Sequence, residues 1–207
     1  INFFLFIIPL AIASLTFSCA NPSSEKTPHP LLAQAQNYLT RLEHTDYQHD
    51  TEVKPEEGIF LFDCSGFLDY LLADVDNYAY QEILSFAQQS GFREDSSRAL
   101  ASHYVLFADS LQNENSAKHW QAVPRTTSIQ PGDILAWQKP TDVGGDDTGH
   151  VMLIQKNLGQ NDGELLLRVI DSASSNHADD ERCPLSQCDQ PEAVQGLGVG
   201  TIGLRLD

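Results

Sequence analysis

Three side chains with the chemistry of a thiol hydrolase occur in order along the chain: Cys64, His150 and Asp171. A thiol acts as a nucleophile through its thiolate, which a helix N-terminus favours by its unpaired N–H groups and the positive end of its dipole. Cys64 lies where the extended run "EEGIFLF" gives way to Phe67, Leu68, Leu71 and Leu72. Counted from the cysteine these are the i+3, i+4, i+7 and i+8 positions of one helix face. Cys64 therefore falls in the first turn of an expected helix, on its buried side. A base must take and return the proton, and His150 opens the apolar run "HVMLIQK" directly after Gly149, where a missing side chain admits a close neighbour. Asp171 ends the run "LLLRVID" and offers a carboxylate to orient an imidazole. Taken singly, each has an ordinary structural role as well: a core cysteine, a hydrogen-bonded histidine, a strand-end aspartate.

The elements that must position these groups follow from periodicity. "LLAQAQNYLTRLEH" carries Leu31, Ala35, Tyr38, Leu39 and Leu42 at helical spacing. "YQEILSFAQQSG" reads as a helix stopped by Gly91, and "SSRALASHYVLFADSL" as another. These last two form a helical insertion between the cysteine and histidine halves. From "DILAWQ" onward the pattern is that of strands, with "HVMLIQK", "ELLLRVIDS" and "GVGTIGLRLD" following. The intervening "TDVGGDDTG" and "NLGQNDG" suit antiparallel turns. Helices first and a strand meander afterwards imply an α+β fold, with N-terminal helices packed on an antiparallel sheet.

The chain has 207 residues, 41% of them hydrophobic, enough for one well-packed domain. With 29 acidic against 12 basic residues and a net charge of -17, electrostatics oppose binding to nucleic acid or to anionic lipid surfaces. Residues 1–19 are largely apolar and end in small residues before Cys19, as a secretory signal does. "LTFSC" resembles a bacterial lipobox, which makes Cys19 the expected lipidation site; simple secretion and an uncleaved anchor are the alternatives. Residues 20–30, polar and proline-containing, read as a linker, and 31–207 as the folded domain. Cys183 and Cys188, in "CPLSQC", are close enough for a small-loop disulfide in an oxidising compartment. A reduced pair or half of a metal site is the other reading, but no second Cys or His pair stands at zinc-like spacing. No metal and no organic cofactor are expected, and Cys64 is left without a cysteine partner.

In combination, "DCSGF", "PGDILAW", "TGHVMLI" and "VIDSA" resemble the papain-like NlpC family of bacterial cell-wall cysteine peptidases. The resemblance runs from about Tyr47 to Asp171. It implies a papain-like NlpC-type fold with Cys64 as nucleophile, His150 as base and then acid, and Asp171 as the residue orienting it. That third position is commonly His in the family, and Asn or Gln in some members. The resemblance also makes Tyr47 the candidate for a hydroxyl at the oxyanion, beside a backbone N–H near the nucleophile. The segment from Asp74 to Pro124 is longer than in minimal members, so its helices are expected to roof or narrow the cleft. In the polar loop "DSASSNHADDER", His177 is a rival to Asp171 as partner of His150, and Arg182 is a candidate fork for a substrate carboxylate. Ser65, His177 and Arg182 are the expected cleft or substrate contacts.

The function so implied is a secreted or lipid-anchored cysteine hydrolase that cuts the stem peptide of peptidoglycan. Its expected location is the periplasmic face of the cell envelope, as an outer-membrane lipoprotein or a secreted protein, with membrane contact only through the lipid. Two alternatives stand beside it: acyltransferase or amidase chemistry on the same fold, and a non-catalytic lipoprotein that binds a protein partner.

Overall fold

The computed structural model describes residues 3–7, 28–91, 97–113, 117–139, 148–182 and 194–205. Cys19, Cys183 and Cys188, and with them the lipidation and disulfide expectations, lie outside the described residues.

Strands β1 (Phe3–Ile7), β5 (Gln121–Ala122), β6 (Ile134–Gln138), β7 (Gly149–Asn161), β8 (Glu164–Ala173) and β9 (Gly196–Arg205) form a six-stranded sheet in the order β5-β1-β6-β7-β8-β9. Every pairing in it is antiparallel. A smaller sheet, β2 (His44–Asp46), β4 (Ile59–Leu61) and β3 (Glu52–Lys54), stands beside the β9 edge. The chain is thus α+β, with its helices packed against an antiparallel sheet whose strand β1 precedes them.

Helix α1 (Pro30–Thr40) starts at a proline, which has no N–H to leave unpaired in the first turn. Its buried side carries Leu31, Leu32, Ala35 and Tyr38. Helix α2 (Cys64–Val75) packs on β7 and β8, and α4 (Ala101–Asn113) on β6 and β7, while α3 (Asn77–Gln89) covers both helices from outside. The core between helices and sheet joins Phe67, Leu68, Leu71 and Leu72 of α2 to Ile134, Val151, Leu153, Ile170 and Val199 of the strands. Alternate residues of the same strands, among them Leu135, Met152, Ile154 and Val169, make a second apolar cluster on the opposite sheet face. None of the described helices is long and apolar enough to cross a membrane.

Three elements depart from the sequence reading. The turn expected over "NLGQNDG" shrinks to Asp162 and Gly163, both at positive φ (50° and 83°), the backbone of a tight two-residue hairpin. Strand β7 runs on to Asn161, absorbing register shifts near Gln155 and Leu158. Helix α4 starts only at Ala101; the preceding 97–100 stay irregular, with the Leu100 N–H donated to His103 Nδ1. Phe3–Ile7, inside the segment expected to be a secretory signal, pairs with Ile134–Trp137 as β1. An apolar extended run satisfies the open backbone of β6, and cleavage before Cys19 would take that strand away.

Candidate active site

Helix α2 begins at Cys64 because Asp63, in extended conformation, caps it: the Asp63 carboxylate accepts the Gly66 N–H at 2.7 Å. Cys64 is a free thiol, 4% exposed, at the first turn. The chain leading to it is fixed to the sheet, since Ser172 Oγ of β8 donates to the Phe62 carbonyl at 2.6 Å.

His150 is the second residue of β7, opposite Trp137 on β6, their rings 5.0 Å apart. Gly149 has φ 136°, and a Cβ there would lie 2.1 Å from the Trp137 carbonyl oxygen. The close approach expected at this glycine is therefore made by the neighbouring strand. His150 Nε2 lies 2.5 Å from Asp171 Oδ2. An ionised carboxylate only accepts, so Nε2 carries hydrogen, and Nδ1 is left for the Cys64 thiol, to which the ring is also hydrogen-bonded. Burial opposes the charged imidazole. The Cys64 charge and the hydrogen bonds to Asp171 and Cys64 outweigh that cost and push its pKa up to about 10.

Asp171, fully buried on β8, is the hub of the site. Its Oδ2 also accepts from His177 Nε2 at 2.7 Å, and its Oδ1 lies 3.4 Å from the Arg182 guanidinium. Burial pushes the Asp171 carboxyl up, but the two imidazoles overcome this and hold it well below the usual carboxylate range. The two sequence candidates for orienting His150 thus take different places: Asp171 touches it, and His177 shares the same Asp171 oxygen, its ring 6.2 Å from that of His150.

Arg182 does not offer a fork to a substrate. Its side chain is 1% exposed, with Nε and one terminal nitrogen on the Asp180 carboxylate and the other on the Gly196 carbonyl. Strand β9 makes room for this loop. A Cβ at Gly198 would lie 2.0 Å from Arg182 Cγ, and one at Gly200 would lie 2.5 Å from His177 Cβ. Glycines two apart share one strand face, so Gly198 and Gly200 leave a bare track on which Arg182 and His177, the partners of Asp171, lie.

On the other side of Cys64 a cleft of about 270 Å³ is lined by Tyr47, His49, Asp63, Ser65, Arg98 and Thr148, among others. Arg98 and Leu100, between α3 and α4, and Ala101 at the start of α4 belong to this wall, so the insertion lines the cleft. Tyr47 is at the cleft, its ring 6.1 Å from that of His49. Ser65 is 3% exposed, donating to Asp63 Oδ1 at 3.2 Å and accepting from Arg98 at 2.6 Å. Sequence reasoning missed Arg98 altogether. No local pattern marks a single arginine inside an insertion, whereas the period-two glycines of β9 were a readable sign.

His150, Asp171 and His177 also bring their donor atoms within 4.8 Å of one another. Two imidazoles and a carboxylate can ligate metals, but here Asp171 already accepts from both rings, so hydrogen bonding accounts for the cluster. The arrangement as a whole is a thiol at a helix tip, an imidazole against it, a buried carboxylate behind the imidazole, and a cleft open on the thiol. No family model, no curated protein and no solved structure matches the chain.

Proposed function

We propose that this protein is a cysteine hydrolase with Cys64, His150 and Asp171 as its triad, acting on amide bonds of peptidoglycan stem peptides. The observation that carries the reading is the unbroken row of hydrogen bonds from Cys64 through His150 to Asp171, with the thiol facing a cleft. The substrate class rests on the resemblance of "DCSGF", "PGDILAW" and "TGHVMLI" to the NlpC family, and the α+β order of elements is compatible with it.

In this reading the Cys64 thiolate adds to the amide carbonyl, and the oxyanion meets backbone N–H groups at the start of α2 and the Tyr47 hydroxyl. Protonated His150 gives its proton to the leaving amine as the C–N bond breaks, leaving a thioester on Cys64. His150 then takes a proton from water, whose oxygen attacks the thioester and frees the acid and the thiol. Asp171 keeps the imidazole in the tautomer and orientation both steps need. Such a substrate puts the protein in the cell envelope, tethered through Cys19 where that residue is lipidated.

Purified protein and a Cys64→Ala variant, each incubated with peptidoglycan fragments and read by mass spectrometry, test this. The intact thiol should release cut stem peptides and the variant none. Equal cleavage by both would overturn the assignment.

A further inference from the structure

Asp63 sets a problem for the nucleophile beside it. As cap of α2 it holds the helix start, yet a carboxylate on the residue next to Cys64 opposes a negative charge on the thiol. A neutral Asn or Ser could cap as well without that repulsion. Arg98 resolves the conflict geometrically. One of its terminal nitrogens donates to Asp63 Oδ1 at 3.0 Å and to Ser65 Oγ at 2.6 Å, while the other pairs with Asp63 Oδ2.

We propose that Arg98, delivered by the segment between α3 and α4, is a positioning residue that lets Asp63 cap the nucleophile helix without suppressing the Cys64 thiolate. The inference rests on the reading of Cys64 as nucleophile. It gives the insertion a chemical task beyond lining the cleft.

Two features carry it. The guanidinium reaches both carboxylate oxygens in a fork, the arrangement in which arginine best neutralises a carboxylate. Arg98 and Cys64 also line the same cleft. Burial pushes Asp63 up, yet the fork, with His49 and the Gly66 N–H, holds it below the ordinary range, so the charge needing neutralisation is present.

Charged and titratable groups surround Cys64 on several elements. Asp63 belongs to its own helix cap, with His49 on Asp63 Oδ2 at 3.0 Å from the β2–β3 connection. His150 comes from β7, backed by Asp171 of β8 and His177. Tyr47 lines the cleft. Asp69, further along α2, interacts with Arg98 as well. Of these, Arg98 is the cation held to Asp63 by a fork.

The experiment measures Cys64 alkylation by iodoacetamide from pH 4.5 to 9 in the whole protein, located by peptide mass mapping. Arg98→Ala, and Arg98→Gln as a variant that keeps a polar contact without the charge, should slow alkylation about tenfold below the midpoint. The midpoint itself should move up by about one pH unit. Adding Asp63→Asn to either variant should return the profile to within about twofold of the parent protein, because the charge needing neutralisation is then gone. An unmoved profile in Arg98→Gln, or a double variant as slow as the single, overturns the proposal. Alkylation needs no substrate, so failure to cut peptidoglycan and failure of this inference are separate results.

Discussion

Two carboxylate–arginine pairs flank the thiol–imidazole row, and they differ in burial. Behind His150, Asp171 and Asp180 share Arg182, and side-chain exposures there are 0%, 3% and 1%. In front, Asp63 is 6% exposed, but Arg98 is 22% and His49 is 70% exposed. The rear pair is sealed between β8, β9 and a loop; the front pair forms a cleft wall. A sealed ion pair cannot lose one member cheaply, because the remaining charge has no water to turn to. A half-open pair is screened and contributes little to stability, so its effect is felt in the electrostatics of its neighbour. Under the function proposed for Cys64, the rear fixes geometry, while the front adjusts the thiol.

The strongest way to break this contrast is Asp171→Asn. Its removal should cost about 3 kcal/mol of stability, because Arg182 stays buried with half its countercharge, and about 10³-fold in turnover, because the imidazole loses its anionic partner. Denaturant unfolding and peptide-release rates measure the two. Loss of activity with unchanged stability would mean that the rear pair is not the structural one.

Another buried carboxylate, Asp69, sharpens the comparison by lacking an arginine fork. Asp69 of α2 accepts from the Tyr104 hydroxyl at 2.7 Å, and burial pushes its pKa from 3.8 up to about 7. A folded-state value above the unfolded one means that the associated stability is complete below about pH 4 and is lost as pH rises through about 7. Asp69→Asn keeps an acceptor for Tyr104 and does not titrate. The natural protein should thus lose stability against the variant across that window, by at most about 4 kcal/mol, in melts taken at pH 4, 5.5 and 8. Parallel melting temperatures would remove Asp69 from the contrast.

The smallest expected effect tests the bare track under the rear pair. Gly198→Ala puts a Cβ into the Arg182 side chain and should cost about 2 kcal/mol by overpacking. Gly203→Ala, on the same strand, would meet first the mobile carboxylate end of Glu164 and is the control. Equal unfolding midpoints for the two variants would show that Arg182 is not tightly seated.

The helix tip at Cys64 was legible because what marks it is local: an extended run, a cysteine, and an apolar stripe at helical spacing; the Asp63 cap emerged only from the structure. His150 and Asp171 were legible as ends of alternating or apolar runs. The long β7 was not, because "NLGQNDG" holds several residues that favour turns, and only pairing with β8 selects Asp162 and Gly163. Arg182 was misjudged for a related reason. A charged loop is solvated by default, and its burial follows from "GLGVG" on a strand that comes later in the chain and lies against it in space.

Local preference and periodicity, properties of neighbouring residues, were enough to determine the α+β class, the start of α2 at Cys64 and the types of group available for thiol chemistry. Which carboxylate touches which imidazole, which arginine neutralises which aspartate, and which side of Cys64 opens on a cleft were decided only when the chain folded. Those relations join residues such as Asp63 and Arg98, or Asp171 and Arg182, through sheet register and helix packing, and Coulomb interactions depend on distance in space and on burial, neither of which is set by separation along the chain.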